Sequence, residues 1–220
     1  MLHPSIELRY INAQRGYGVF ATEPIPRGTV TWALDPLDQI LSAPRATSLE
    51  EPFRAHLHRY SWLTGRGDRI LCWDFGRFMN HSCDPCSAGP GLIELEVALR
   101  DIEVGDEVTC DYGSFNLEDP MQCECGSALC RGTVTTEDFE HVAPRLDRRV
   151  RAAFPHLKRV NQPLWSLLQR WSDQVEMGIE QPHSLPSLLE NQWPRPARAT
   201  ITNGRAVPAR ALDAAVERAS

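Results

Sequence analysis

The sequence predicts a mostly β domain followed by a helical C-terminal extension, and three observations indicate this class. Short segments that alternate apolar and polar residues occupy the first half of the chain, turn signals separate them, and helix-forming residues dominate from about Thr136 onward. A chain of 220 residues can bury one compact core and carry an appendage. We therefore expect one β-rich domain with a helical addition.

Three segments of the first half are typical of half-buried strands. Residues 6–10 and 93–97 alternate apolar and polar side chains, and residues 29–32 are β-branched and aromatic. Turns that contain proline or glycine separate them, for example at residues 24–28 and 104–106. This spacing of short strands predicts several small sheets.

The second half predicts helix. Four apolar residues recur there at helical spacing: Leu164, Leu168, Trp171 and Val175. We expect one amphipathic helix that packs on the β domain. From Gln181 onward five prolines interrupt any long element, so we expect mobility, with at most a short helix at residues 209–220.

Composition and charge exclude several classes of protein. Hydrophobic residues make up 42% of the chain and charged residues 24%, and no apolar run approaches the length of a membrane span. The first ten residues lack the apolar middle of a signal peptide, so we expect an intracellular protein, cytoplasmic if bacterial or nuclear if eukaryotic. The net charge of −6 argues against direct nucleic-acid binding and favours a lysine-bearing protein partner. Lys158 is the only lysine of the chain.

The cysteines predict a metal site. There are seven, and Cys123, Cys125 and Cys130 form a CxCx4C knuckle whose glycines permit tight turns. A structural zinc ion takes four ligands, so one distant residue must complete the site. Spacing alone leaves four candidates for that ligand: Cys72, Cys83, Cys86 and Cys110.

Four segments in a fixed order resemble the SET-domain protein-lysine methyltransferases that carry a post-SET zinc motif. They are the turn RGYGVFA at residues 15–21, RFMNHSC at 77–83, GDEVTCDYG at 105–113, and the knuckle CECGSALCRG at 123–132. The resemblance covers about residues 6–132. It implies a SET-domain fold of small curved β-sheets with a threaded, pseudoknot-like segment, in which the second and third segments meet.

The resemblance also implies an activity and its residues: methylation of lysine side chains in a histone or another basic protein, with S-adenosylmethionine as methyl donor. Tyr112 would be the catalytic tyrosine, with Cys110 and Phe115 in the substrate channel. The residues expected to bind the cofactor are Gly16, Tyr17, Gly18, Arg77, Phe78, Asn80, His81, Tyr112 and Gln122. A structural Zn²⁺ would be held by Cys83, Cys123, Cys125 and Cys130. The implied division is a SET domain at 1–117, a post-SET knuckle at 118–134 and a helical extension at 135–220.

Two positions depart from the family's pattern. Cys86 stands where the family usually has asparagine, and its thiol is a rival fourth zinc ligand. Cys110 stands two residues before Tyr112, where the family often has phenylalanine or tyrosine. A smaller side chain leaves room at the reacting nitrogen, so we predict di- or trimethylation.

Two other classes of function stay open at this point. The first is a catalytically silent SET-like module that binds a basic peptide or scaffolds partners. The second is a zinc-stabilised adaptor, for which the only hint is a basic cluster around Arg145 and Arg149 that is typical of a solvated face. The sequence does not name the substrate protein or the oligomeric state.

Overall fold

The computed structural model describes residues 1–193, in which twelve short strands form five small sheets and four helices complete the fold. The strands are β1 (Ile6–Asn12), β2 (Gly16–Ala21), β3 (Val30–Ala33), β4 (Gln39–Leu41), β5 (Ser61–Leu63), β6 (Arg69–Leu71), β7 (Asn80–His81), β8 (Ser87–Ala88), β9 (Leu95–Ala98), β10 (Thr109–Cys110), β11 (Met121–Gln122) and β12 (Thr133–Val134). The helices are α1 (Ala43–Thr47), α2 (Phe53–Tyr60), α3 (Phe139–Ala153) and α4 (Ser172–Glu180). The predicted class, a β-rich domain with a helical extension, is confirmed.

Four of the five sheets are antiparallel. Strands β1 and β2 form a hairpin, β3, β9 and β8 form one three-stranded sheet, β4, β6 and β5 form another, and β11 pairs with β12. The strands predicted at residues 6–10 and 29–32 correspond to β1 and β3. The alternating run at 93–97 is confirmed from Leu95 onward, where β9 begins.

The fifth sheet joins two segments that are far apart in sequence. Strands β7 and β10 pair in parallel, with Asn80 opposite Thr109 and His81 opposite Cys110. The pairing continues for one residue, because the Ser82 amide donates to the Cys110 carbonyl over 2.9 Å. The second and third resembling segments therefore meet, as the resemblance implied.

The C-terminal extension packs on the β domain through α3. Helix α3 buries one side, with apolar residues three and four positions apart: Phe139, Val142, Ala143, Leu146, Val150 and Ala153. They share one hydrophobic core with strands β3 and β9. Full burial of a side chain such as Phe139 stabilises the fold by roughly 1.5–3 kcal/mol. The extension and the strands that carry the site therefore depend on the same core.

Polar side chains fix the extension to the β domain as well. Gln162 accepts from the Val30 amide over 2.9 Å and donates to the Gly28 carbonyl over 2.8 Å, which satisfies backbone groups beside β3. On α3, Arg145 donates to the Cys83 carbonyl over 2.7 Å and Arg149 pairs with Asp84 at 2.9 Å. These two arginines anchor the helix to the RFMNHSC segment, so interpreting the basic cluster as a solvated face is wrong for them.

The single helix predicted from residues 164–175 is wrong in detail. Residues Trp165–Trp171 form a 3-10 segment, and α4 begins only at Ser172. Leu168 and Trp171 are three residues apart, a spacing that suits the three-residue turn of a 3-10 helix as well as an α-helix. The apolar stripe still faces the core, since Leu164, Leu168 and Val175 are buried there.

Residues 181–193 contain no long element, as the prolines predict, but they pack against the fold. Leu185 and Leu188 are buried in the main core, and buried Asp147 of α3 accepts from the Ser187 hydroxyl and the Leu188 amide. The short helix predicted at 209–220 lies outside the described residues. Among residues 1–193, no helix is both long and apolar enough to cross a membrane.

Candidate active site and metal centre

A cavity of about 220 Å³ lies beside Tyr112, at the point where β10 ends. Tyr112 begins a 3-10 turn that Asp111 caps, because the Asp111 carboxylate accepts from the Gly113 amide over 3.0 Å. The Tyr112 hydroxyl donates to the Met79 carbonyl over 2.8 Å. Burial raises the pKa of Tyr112 well above its usual range, so the side chain stays a neutral phenol.

Three of the aromatic residues that line this cavity have neighbouring rings. Trp62 stacks on Phe115 with ring centroids 6.0 Å apart, and Phe115 lies at the same distance from the ring of Tyr112. Cys110 also lines the cavity and is 3% exposed. The structure thus brings together the three residues predicted for catalysis and the substrate channel.

Two carboxylates in the cavity were missed by the sequence analysis. Glu94 and Glu96 were interpreted as the outward positions of an alternating strand, but both line the cavity. Burial raises the pKa of both, that of Glu96 to about 7. Glu96 Oε2 accepts from the Ser87 hydroxyl over 2.7 Å. Alternation along a strand cannot distinguish solvent from an internal cavity, so no sequence signal marked these residues.

The residues predicted to bind the cofactor gather around the β1–β2 hairpin and the turn before β7. The ring of Phe78 meets the ring of Tyr17 edge-on at 5.9 Å and that of Tyr60 at 5.5 Å. Arg77 lies over the Phe78 ring, and both Arg77 and Tyr60 line the cavity. This aromatic group therefore adjoins the cavity that contains Tyr112.

Asn80 holds the glycine turn in place. Its amide nitrogen donates to the Tyr17 carbonyl over 2.9 Å and to Glu107 Oε1 over 2.8 Å. Gly18 permits this contact, since a Cβ there would lie 2.8 Å from the Asn80 nitrogen and 2.6 Å from Glu107 Oε1. Glu107, which also pairs with Arg15, is a further residue that the sequence analysis missed.

The ring of His81 is held on both sides. Its Nδ1 accepts from the Tyr112 amide over 3.0 Å, and its Nε2 lies 3.2 Å from Cys83 Sγ. Burial lowers the pKa of His81 to about 4, so the ring is neutral with its proton on Nε2, facing the sulfur. Only the backbone of His81 is left to contact a cofactor.

Gln122 lies apart from the cavity. It is exposed on β11, and its amide donates to the Thr133 hydroxyl over 3.3 Å. The structure does not bring it beside Tyr112.

The four cysteines predicted to bind zinc come together. Cys123 Sγ lies 3.8 Å from Cys83 Sγ and 3.8 Å from Cys130 Sγ, and Cys125 Sγ is within 4.8 Å of the sulfurs of Cys83 and Cys123. A tetrahedron of thiolates about 2.3 Å from a zinc ion has edges of about 3.8 Å, which the Cys123–Cys83 and Cys123–Cys130 separations match. Backbone amides add support, because Arg131 N donates to Cys83 Sγ over 3.4 Å.

Two rivals for the fourth position fit less well. His81 lies near the cluster, but its Nδ1 accepts a hydrogen bond and its Nε2 carries the proton, so it has no free lone pair for a metal. Cys86 is buried elsewhere, with its sulfur accepting from the Thr109 amide over 3.3 Å. Cys130 is exposed, and its sulfur lies 3.8 Å from that of Cys123.

A buried carboxylate joins the cysteine cluster to the turn Tyr112–Ser114, the predicted catalytic turn. Asp111 is 1% exposed and accepts two hydrogen bonds from Arg131, at 2.6 and 2.9 Å, and a third from Arg145 at 3.1 Å. These contacts raise the pKa of Arg131 above its usual range despite the cost of burial. Arg131 follows the last cysteine directly, so the knuckle, the catalytic turn and α3 share one ionic centre.

Comparisons with known proteins identify the central part of the chain. Residues 16–113 match the family profile of the SET domain. This segment is therefore similar to the SET domain, and the resemblance noted in the sequence is confirmed for it.

Several curated relatives share this region. The chain is 26% identical over 140 residues to the histone-lysine N-methyltransferase ASHH2 of Arabidopsis thaliana, covering 57% of this chain and 8% of that protein. It is 40% identical over 74 residues to human SETD1B, covering 30% and 4%, and 30% identical over 145 residues to ash1 of Drosophila melanogaster, covering 60% and 6%. The chain thus spans less than a tenth of the length of these relatives.

A solved structure is similar over part of the chain. It is described as KRYPTONITE in complex with mCHH DNA, an H3(1-15) peptide and SAH. Its TM-score is 0.44 at 22% identity, and the match covers 60% of this chain and 30% of that one.

Proposed function

We propose that this protein transfers methyl groups from S-adenosylmethionine to lysine side chains of a protein substrate. The observation that carries the proposal is Tyr112, held as a neutral phenol in an aromatic-lined cavity within a SET domain. The relatives named as histone-lysine methyltransferases support the same chemistry. The proposed substrate is a histone or another lysine-bearing basic protein.

The proposed cofactor site lies where Tyr17, Arg77 and Phe78 adjoin the cavity. When bound, S-adenosylmethionine supplies a methyl group on a positively charged sulfur. Aromatic faces suit such a cation, and both faces and edges can pack against the adenine ring. Asn80 supports this site indirectly, by holding the backbone of Tyr17.

Tyr112 would orient the reacting amine. Its hydroxyl proton is already donated to Met79, so only the lone pairs of the oxygen are left for a ligand in the cavity. These lone pairs can accept an N–H of the substrate amine and thereby aim the nitrogen lone pair at the methyl group. In-line displacement depends mainly on such alignment and on the exclusion of water, which the aromatic walls provide.

The four cysteines would hold a structural zinc ion. Four thiolates leave no open coordination position, so the metal would stabilise the knuckle and take no part in methyl transfer. Thiols of this kind stay reduced in intracellular compartments, which is where we place the activity.

The division into 1–117, 118–134 and 135–220 belongs to this proposal. In it the first segment carries the cavity and the second closes the zinc site. Residues 135–193 of the third segment support the first two. They share a hydrophobic core with β3 and β9, and Arg145 contacts Asp111.

A silent SET-like module is the alternative, and cofactor binding separates the two. We expect calorimetric titration of S-adenosylmethionine into the zinc-loaded protein to give micromolar binding. Replacing exposed Tyr17 by alanine should weaken it at least tenfold. Tyr10→Ala is the matched control, because it removes the same ring contact, 5.6 Å between centroids, from the opposite strand of the hairpin. A folded protein that binds no cofactor would favour the silent module.

A further inference from the structure

Methyl transfer to lysine requires a neutral amine, and the structure narrows the choice of proton acceptor. A free lysine has a pKa near 10.4, so it enters the cavity as an ammonium ion. Tyr112 cannot accept the proton as a phenolate, since burial raises its pKa and its own proton is donated to Met79. Burial also raises the pKa of Cys72 and Cys110, which leaves them as neutral thiols without basic character.

The outer groups of the cavity are already paired. Glu118 forms an ion pair with Arg69 and lies 3.2 Å from Nε2 of His58, whose side chain is half exposed. Asp119 lies 3.5 Å from the same histidine and is 79% exposed. These groups lie at the solvent-exposed rim and not against Tyr112.

Glu94 and Glu96 stay as the candidate acceptors among the described carboxylates of the cavity. Glu96 lies on β9 and lines the cavity together with Cys110 and Tyr112. Its charge contributes to the raised pKa of Tyr112 and, next after burial itself, to that of Cys110. Its Oε2 is fixed by Ser87, whose hydroxyl lies 2.6 Å from that of Thr31. Glu94 is affected instead by Arg66.

We propose that the Glu96 carboxylate accepts the proton of the substrate ammonium group before methyl transfer. The proposal rests on the proposed function, since it assigns a role within that reaction. An N–H bond of the ammonium breaks and an O–H bond forms on Glu96. The freed nitrogen lone pair then forms the new N–C bond, while the electron pair of the S–C bond stays on sulfur.

The low polarity of the cavity favours this transfer. An ammonium–carboxylate ion pair loses a large solvation free energy when it is removed from water. A neutral amine beside a neutral carboxylic acid loses far less, so the cavity favours the neutral pair. A base whose pKa lies near the working pH is also the most effective acceptor, and burial raises the pKa of Glu96 to about 7. After the reaction Glu96 returns its proton to solvent through the open end of the cavity.

The uncharged neighbours of Glu96 are two thiols and a phenol. Cys86 directly precedes β8 and Cys110 lies on β10, both with a pKa that burial raises, and Tyr112 is a neutral phenol. The charge of Glu94 adds to the raised pKa of Glu96. Glu94 precedes it on the approach to β9, and the cations Arg69 and Arg77 line the same cavity.

The kinetic test compares Glu96→Gln with Glu94→Gln. The glutamine at 96 keeps the shape and can still accept from Ser87, but it cannot take a proton. We expect kcat to fall about 100-fold or more for Glu96→Gln, with little change in the affinity for S-adenosylmethionine. The kcat of the wild type should rise with pH through about 7, as Glu96 ionises, and this rise should be lost in Glu96→Gln. Glu94→Gln should lose far less rate and should keep the rise with pH, moved to lower pH because the charge of Glu94 adds to the raised pKa of Glu96.

A second measurement needs no methyl transfer. n-Butylamine, a mimic of the lysine side chain, is titrated calorimetrically at pH 8 in two buffers of different ionisation enthalpy, which counts the protons released on binding. The wild type should release few protons, because Glu96 keeps the proton of the amine, whereas Glu96→Gln should release about one per amine bound.

The outcomes separate this proposal from the proposed function. The wild type could release few protons on binding n-butylamine, as expected, and yet methylate no lysine. That result would contradict the proposed function but would leave Glu96 as the proton acceptor of an amine-binding site. Glu96→Gln with a kcat within twofold of the wild type would overturn the assignment of Glu96. Equal proton release by the two proteins, or no amine binding, would overturn it as well.

Discussion

The hydroxyl of Tyr112 illustrates how a single donor decides the chemistry of the site. Its proton goes to the Met79 carbonyl, on the turn that precedes β7, so the catalytic turn and that turn are locked together. The oxygen then faces the cavity as an acceptor only. In the proposed reaction this arrangement would orient the amine without deprotonating it, and we assign that step to Glu96.

Cys110 leads to a prediction at the same scale. It is buried and lines the cavity beside Tyr112, and its small side chain leaves space for methyl groups on the reacting nitrogen. We expect mass spectra of a good substrate to show di- and trimethyllysine with the wild type. Cys110→Phe should shift the product to monomethyllysine by filling this space.

Cys110→Ser is the matched control, because serine keeps the size and should keep the product distribution. The substitution by phenylalanine adds volume beside a packed wall, at a cost of about 1–3 kcal/mol of stability, so folding is verified by its melting transition. Monomethyl product alone from the wild type would refute the prediction.

The residues of the site could be predicted only where a motif marked them. Tyr112, Cys110, Phe115 and the four cysteines stand in recognisable segments, and the structure brings them together in two neighbouring groups. Glu96 could not be found in this way. Its role depends on a cavity on the polar side of β9, and nothing local in the sequence encodes that cavity.

At the scale of elements, the knuckle and the catalytic turn behave as one unit. Cys83 follows β7, the other three cysteines lie between β11 and β12, and Arg131 joins them to Asp111. Loss of the metal should therefore loosen the turn that holds Tyr112 as well as the knuckle.

The zinc site gives a prediction at this scale. We expect one zinc ion per chain by elemental analysis, and we expect Cys130→Ser to lose it and lower the melting temperature by several degrees. Cys130 is exposed, so the loss would report the metal and not a disrupted core. Cys86→Ser, outside the cluster, should retain the zinc. Retention by Cys130→Ser together with loss by Cys86→Ser would contradict the ligand set.

Elements were predicted well where the pattern is local and poorly where packing decides. The hairpin strand β1 and strand β3 follow from alternation and β-branched residues. The break between the 3-10 segment at Trp165–Trp171 and α4 does not, because the three-residue spacing of Leu168 and Trp171 suits both kinds of helix. The choice between them is made by contacts with the main core.

At the scale of the whole molecule, the C-terminal extension is a structural support for the site. Its helix α3 shares the core of β9, the strand that carries Glu96, and its Arg145 contacts Asp111 beside Tyr112. Composition predicted helices in this part of the chain. Composition did not predict that Gln162, Arg145 and Arg149 anchor the extension to the β domain. The residues to which they bind lie more than sixty positions away in the sequence.

The most direct test of the central claim is methyl transfer itself. Zinc-loaded protein is incubated with isotope-labelled S-adenosylmethionine and a mixture of histones, and the labelled residues are identified by mass spectrometry. Self-methylation of side chains gives little background, since Lys158 is the only lysine of the chain. We predict label on lysine nitrogen with the wild type and at least a 100-fold loss of rate with Tyr112→Phe at unchanged cofactor affinity. Label on another residue type, or equal rates for the two proteins, would contradict the account.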